Sequence, residues 1–252
     1  MGKRLVKRLR DMGHSVYVSN TKNLNLYKIE NLYELNSIKM DYIFHLAVAT
    51  EAGDYCLTHQ GEQWINNQIL NTNILSYWRD FQPQAKLISM GTSGSYPVNS
   101  PMMEDNYLLG SPEEDLFTYA MTKRMLLIGQ MALEKQYGLK WLHLVPSTIY
   151  GPGFHEGDHH MIIDLIRKIY NGKHYGTSVE LWGDGYQRRE LIYIDDAIEA
   201  MLGLLQEENQ VFNLGSSNDL PIRHFAEQIC NIVGYDQNKI HYNVNRYVGV
   251  KK

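Results

Sequence analysis

Short apolar runs separated by long helical stretches constrain this chain more than any other feature of it. Tyr42-Ile43-Phe44-His45-Leu46, Lys86-Leu87-Ile88-Ser89-Met90 and Trp141-Leu142-His143-Leu144-Val145 are too short for helices and nearly continuously apolar. Strands of that kind are covered on both faces. Roughly Glu62 to Trp78 and Phe117 to Tyr137 read as helices between them. The alternation predicts an α/β fold built on a doubly wound, Rossmann-like parallel sheet. The chain enters this pattern partway. Leu5, Val6, Leu9 and Met12 recur at helical spacing, Gly13 suits a C-cap, and Ser15-Val16-Tyr17-Val18 alternates like a strand. Helix, glycine and strand form the second half of a βαβ unit, which raises the question of where its first strand lies. The alternation weakens after Gly151, where a Gly-rich loop and helices near Met161 to Tyr170 and Ile222 to Val233 predict a smaller C-terminal lobe.

The 252 residues are 44% hydrophobic and 21% charged, with a net charge of −4, the balance of an ordinary globular protein. That charge speaks against nucleic acid or an anionic membrane as a partner. No apolar run reaches the ~20 residues that a membrane span needs, and no signal-peptide core follows the basic residues near the start. Cys56 and Cys230 stand far apart without CxxC spacing, which predicts reduced thiols and a cytoplasmic location.

The stretch carrying chemistry is Thr118-Tyr119-Ala120-Met121-Thr122-Lys123, at the start of a predicted helix. Tyr119 and Lys123 are four apart and share a helical face. An ammonium beside a phenol favours the phenolate, so the spacing predicts a lowered Tyr119 pKa and a proton donor and acceptor usable near neutrality. Thr92 follows the predicted strand ending at Met90, where its hydroxyl is expected to reach the same substrate oxygen. Alone, the YxxxK pattern is more often a surface pair.

Order along the chain strengthens it. Ser89-Met90-Gly91-Thr92-Ser93 precedes YxxxK. Then come Leu144-Val145-Pro146-Ser147-Thr148-Ile149-Tyr150-Gly151-Pro152, Trp182-Gly183-Asp184-Gly185, Arg189-Glu190-Leu191-Ile192-Tyr193-Ile194-Asp195-Asp196 and Phe212-Asn213-Leu214-Gly215-Ser216. The series resembles the extended short-chain dehydrogenase/reductases of the NAD-dependent epimerase/dehydratase family that modify nucleotide sugars, most closely their GDP-L-fucose synthase branch. The resemblance implies a dinucleotide-binding domain over 1–150, incomplete at its N-terminus, and a substrate lobe over 151–252 from which about 190–215 returns to the first domain. It implies that Gly2 is the last glycine of a GxxGxxG loop lying upstream, and that the C-terminus is clipped too. Poor dinucleotide binding by these 252 residues is expected in consequence.

Further roles follow from the resemblance. Tyr119 is the general acid/base, Lys123 tunes it and holds the nicotinamide ribose, and Thr92 orients the sugar oxygen. Leu46, Ala47 and Val48, then Met90, Gly91 and Ser93, then Pro146, Ser147, Thr148 and Ile149 run beside the cofactor. Arg189 grips the nucleotide diphosphate, with an ion pair to Glu190 as the plainer alternative, while Lys168 and Trp182 touch the nucleotide sugar. His160 is kept as one partner of an epimerising pair. The other, a cysteine in the resembled branch, is Gly94 here, and Thr148 replaces an asparagine. Epimerisation is thereby placed in question, while reduction of a 4-keto sugar needs only Tyr119 and cofactor. The acidic pair of dehydratases is absent after Thr92. Ser19-Asn20-Thr21-Lys22 offers no acid for NAD ribose hydroxyls and one cation, which favours NADP over NAD.

His155-Glu156-Gly157-Asp158-His159 satisfies HExxH, but Pro152, Gly153 and Gly157 oppose the continuous helix that zinc chemistry requires, and no metal is expected. Three readings of activity stay open: an epimerase/reductase of a 4-keto GDP-sugar or a related nucleotide sugar, a plain 4-keto reductase or 4-epimerase, and a non-catalytic nucleotide-sugar binder or partner subunit. A homodimer through the Phe117 to Tyr137 helix is expected from the resemblance.

Overall fold

The structure is a computed structural model and describes residues 1–20, 22–51, 55–153 and 160–246. In chain order the elements are α1 (Gly2–Asp11), β1 (Tyr42–His45), α2 (Tyr55–Thr58), α3 (Gln60–Phe81), β2 (Lys86–Met90), α4 (Phe117–Tyr137), β3 (Trp141–Pro146) and β4 (Thr148–Tyr150). They continue with α5 (Met161–Tyr175), β5 (Val179–Trp182), β6 (Arg188–Tyr193), α6 (Ile194–Gly203), β7 (Gln210–Leu214), β8 (Asp219–Pro221), α7 (Ile222–Val233) and β9 (Ile240–Asn243). The chain divides into two compact units, residues 1–146 with 194–214, and 147–193 with 215–252.

The first unit holds a parallel sheet in the order β1-β2-β3-β7. β2 and β3 are buried along their length, as near-continuous apolar runs require. α3 and α4 pack against each other, and Gly129 lets them close: a Cβ there would lie 2.5 Å from Leu75 Cδ1. Leu70, Ile74, Tyr77, Trp78, Leu127 and Trp141 belong to the core of this unit. Burying each such side chain contributes roughly 1.5–3 kcal/mol. α1 lies beside α6, joined by ion pairs from Arg4 to Asp195 and from Arg8 to Glu199.

The segment Ser15–Val18 is not a strand, contrary to the alternation. No strand among the described residues pairs with it, and Tyr17 and Val18 are exposed. Alternation marks a segment able to join a ladder, but the neighbour makes it a strand. Gly13 behaves as read, at φ +86°, with its N–H on Arg10 O.

The second unit has β4-β6-β8 and β5-β9 as small sheets, with α5 and α7 packed on each other. Ile162, Ile163, Leu165, Ile169, Val179, Leu181 and Cys230 form its core.

Candidate active site

Parallel pairing sets the geometry of the first unit. β1, β2 and β3 run in one direction, so the segments leaving them, Leu46–Ala49, Gly91–Ser93 and Ser147, begin at the same end of the sheet. α3 pins the first of these. Asn67, buried in that helix, accepts from Ala49 N at 3.0 Å and donates to Ala49 O at 2.8 Å. Arg124, buried in α4, fixes the loop beyond Thr92 by donating to the carbonyls of Ser95, Leu109 and Gly110. Neither residue is visible in the YxxxK pattern. Their only sequence signal is a polar side chain on a helix face otherwise committed to the core.

Tyr119 and Lys123 come together on the first two turns of α4, with Lys123 Nζ 5.8 Å from the Tyr119 ring centroid. Lys123 is 5% exposed and has no hydrogen-bond or ion-pair partner among the described residues. Burial lowers its pKa to about 8. The phenol moves the opposite way from the sequence expectation. Burial pushes Tyr119 above its ordinary range, and Cys56 and Tyr107 nearby add to the shift. The reason is geometric. The ammonium sits over the ring instead of bonding the phenolic oxygen, so desolvation decides the protonation state. Tyr119 is held as the neutral phenol.

Thr92 stands after β2 in extended conformation, and its Oγ1 accepts Gly94 N–H at 3.3 Å. Beneath α3 and α4 lies a row that sequence reasoning missed: His45, Ser89 and His143 occupy the same register on adjacent strands. All three are buried, and the charge of Lys123 acts on both histidines. Burial holds His45 down to about 4 and His143 down to about 3, so both imidazoles are neutral at neutral pH. Their signal was present as an uncharged polar residue or histidine within each apolar run.

The other expected cofactor residues divide between the units. Gly2 opens α1 with open space around its Cα. Leu46, Ala47 and Val48 leave β1, Met90 ends β2, and Pro146 ends β3. Ser147, Thr148 and Ile149 begin the second unit. Ser147 Oγ is buried without a partner. In the first unit, the Lys123 ammonium, without a partner among the described residues, is a group that the hydroxyl and phosphate oxygens of a nicotinamide dinucleotide would satisfy. At Asn20 a side-chain oxygen caps the N–H groups of Lys22 and Asn23, and no acid intervenes.

In the second unit Lys168 donates to Glu180 O and lies 5.5 Å from the Trp182 ring, with Arg246 at 5.3 Å. An exposed indole flanked by two cations suits a nucleotide with its phosphates. Arg189 donates to Arg188 O, and Glu190 accepts from Ser217 N at 2.6 Å. His160 is exposed at the start of α5, its carbonyl accepting from Ile163 and Asp164. A cavity of about 280 Å³ lies beside that helix, lined by Tyr150, Pro152, Ile162, Ile163, Ile166 and Tyr193. The HExxH stretch, His155 to His159, lies outside the described residues.

Comparison with known proteins bears on this arrangement. The profile of the NAD dependent epimerase/dehydratase family matches residues 1–215. A provisionally assigned GDP-L-fucose synthase 2 from Oryza sativa subsp. japonica is 28% identical over 199 residues, 76% of this chain, which spans 57% of that relative's length. GDP-L-fucose synthase of Escherichia coli (strain K12) is 26% identical over 256 residues, covering 93% of this chain and 78% of the relative. Among solved structures, a GDP-mannoheptose C4 reductase from Campylobacter jejuni with NADP bound superposes with a TM-score of 0.85. It covers 96% of this chain and 84% of its own, at 22% identity. That likeness is one of fold.

Proposed function

The chain belongs to the NAD dependent epimerase/dehydratase family, and from that premise we propose that it is an NAD(P)-dependent enzyme reducing a 4-keto nucleotide sugar, a GDP-hexose or close relative, with or without epimerisation at neighbouring carbons. The observation that carries this reading is the pairing, on one face of α4, of a phenol held neutral with a buried ammonium that has no hydrogen-bond or ion-pair partner among the described residues. Ketone reduction consumes a proton at the carbonyl oxygen as hydride reaches the carbon. A phenol held in its protonated form is the donor that step needs.

The nicotinamide supplies the hydride. Tyr119 gives its proton to the oxygen becoming a hydroxyl, and the Lys123 ammonium stabilises the phenolate left behind. Thr92 donates its hydroxyl proton to the same oxygen and orients the sugar. Lys123 also holds the ribose of the cofactor, and the stretches 46–48, 90–93 and 146–149 line the dinucleotide. Arg189 takes the substrate diphosphate in a bidentate grip, while Trp182 and Lys168 contact the nucleotide. We assign NADP as the preferred cofactor from Lys22 and the missing acid at Ser19–Lys22.

At Gly94 there is no side chain to move a proton. His160 alone does not complete a two-sided epimerising pair, which favours the plain reductase. Exposed Met125, Ile128 and Met131 on α4, with Ile65 and Ile69 on α3, support a homodimer through these helices. The two thiols, both free, support a reducing cytoplasm. Among the described residues no helix is long and apolar enough to cross a membrane.

Turnover in deuterated water separates the activities. Net NADPH oxidation without label at C3 or C5 is the expected result, and label there establishes epimerisation. A Tyr119→Phe variant is expected to lose turnover while keeping nucleotide-sugar affinity nearly unchanged. Undiminished rates would remove Tyr119 from the role.

A further inference from the structure

The hydrogen bonds behind Thr92 run in one direction, and the direction follows from counting protons. Ser89 has a single hydroxyl proton and gives it to Gln130 Oε1 at 2.7 Å. Its oxygen therefore accepts from His143 Nδ1, also at 2.7 Å. A neutral imidazole protonated at Nδ1 has a bare Nε2. The Tyr107 hydroxyl lies 3.4 Å from that bare nitrogen, which can only accept from it, with the Ser95 hydroxyl as its other side-chain partner, and its oxygen accepts Thr92 N–H at 3.4 Å. Gln130 Nε2 closes the far end on Leu87 O. Each side chain in the array is buried. Burial, with the Lys123 charge, keeps His143 neutral, and burial pushes Tyr107 up to about 12, so its proton stays in place.

Gly91 shows that the approach is built in. A Cβ on it would lie 2.6 Å from both His143 Nε2 and Tyr107 Oη. The glycine expected to admit a cofactor is also needed to admit this pair. Tyr107 is in turn delivered by a loop whose carbonyls at Ser95, Leu109 and Gly110 are held by Arg124.

We infer that Tyr107 and His143 are positioning residues for Thr92, fixing the backbone from which its hydroxyl is presented. With Thr92 Oγ1 already accepting Gly94 N–H, the hydroxyl proton is the one left to donate to a substrate oxygen. The use of that hydroxyl rests on the proposed reductase reading. The array itself does not depend on that reading.

Ring-nitrogen NMR of the ¹⁵N-labelled 252-residue chain reads the array without turnover. His143 is expected as the Nδ1–H tautomer from pH ~5 to ~8. Tyr107→Phe keeps the ring and its edge contacts to Tyr96 and His143 while removing the hydroxyl. It is expected to shift the His143 Nε2 resonance and to speed exchange of the Thr92 amide by about tenfold. An Nε2–H tautomer, an imidazolium at pH ~6, or a Thr92 amide indifferent to Tyr107→Phe overturns the inference. In turnover, Tyr107→Phe is expected to lower kcat by about tenfold with KM within about twofold, and to add no loss in a Thr92→Val background. Equal losses in both backgrounds overturn the positioning role. A wild-type chain that binds NADPH and the nucleotide sugar and shows the tautomer and amide response, but does not turn over, would refute the enzymatic reading and leave the array standing.

Discussion

Lys123 and the two histidines it faces set the protonation behaviour of the site. His45 and His143 have folded pKa values near 4 and 3, below the unfolded 6.5. Between those limits the unfolded chain binds more protons, so stability rises with pH through the window and falls on acidification below 6.5. Each histidine contributes a slope of up to about 1.4 kcal/mol per pH unit. Urea unfolding of a His45→Gln variant between pH ~6.5 and ~4 is expected to show a slope shallower by about one proton; an unchanged slope would place that histidine's titration elsewhere. Lys123 carries the same sign at higher pH. Its buried ammonium costs stability below about 8, and the cost is relieved as pH rises towards 10.5. For catalysis the consequence is opposite, because the phenolate needs the ammonium. Turnover is therefore expected to be level up to about pH 8 and to decline above it. A Gly91→Ala change drives a methyl into His143 and Tyr107, and overpacking of that kind costs about 1–3 kcal/mol in thermal or urea unfolding.

At the level of elements, α4 joins catalysis to packing. One side buries Ala120, Lys123, Leu126, Leu127 and Gln130, and another exposes Met125, Ile128 and Met131. An Ile65→Asp/Ile128→Lys double variant is expected to turn the proposed dimer into a monomer by light scattering. A monomeric wild type would contradict that interface. Approximate helical periodicity coincides with α4 and α7 but stops short of the ends of α3 and α5, and the apolar runs located β1, β2 and β3 within one residue of their ends. The fold class was thus legible because buried parallel strands and their covering helices leave strong patterns. Ser15–Val18 was misread because its alternation carries no information about a partner. The Tyr119–Lys123 pairing was legible from spacing, but the direction of the phenol shift was not. It depends on whether the ammonium meets the oxygen or the ring, a matter of rotamers and burial. His45, Ser89 and His143 sat in plain view within their strands. Their alignment depends on register, which no single segment encodes.

Over the whole molecule, the proposed chemistry and the proposed recognition occupy different units. Thr92, Tyr119 and Lys123 belong to the first, while Lys168, Trp182 and Arg189 belong to the second. Substitution in the first is therefore expected to act on kcat and in the second on KM; Arg189→Met should raise KM for the nucleotide sugar by about tenfold or more with kcat little changed. A fall in kcat alone would move Arg189 out of ground-state binding. The central claim is that Tyr119 protonates a sugar ketone as cofactor hydride reaches the carbon. Its most direct test is label transfer from NADPH deuterated at nicotinamide C4 to a GDP-linked 4-keto hexose, at saturating cofactor, read by NMR of the sugar. Deuterium at sugar C4 with the wild-type chain, and none with Tyr119→Phe, is the predicted result. No transfer by a wild-type chain that binds both molecules, or equal transfer by the variant, would contradict it.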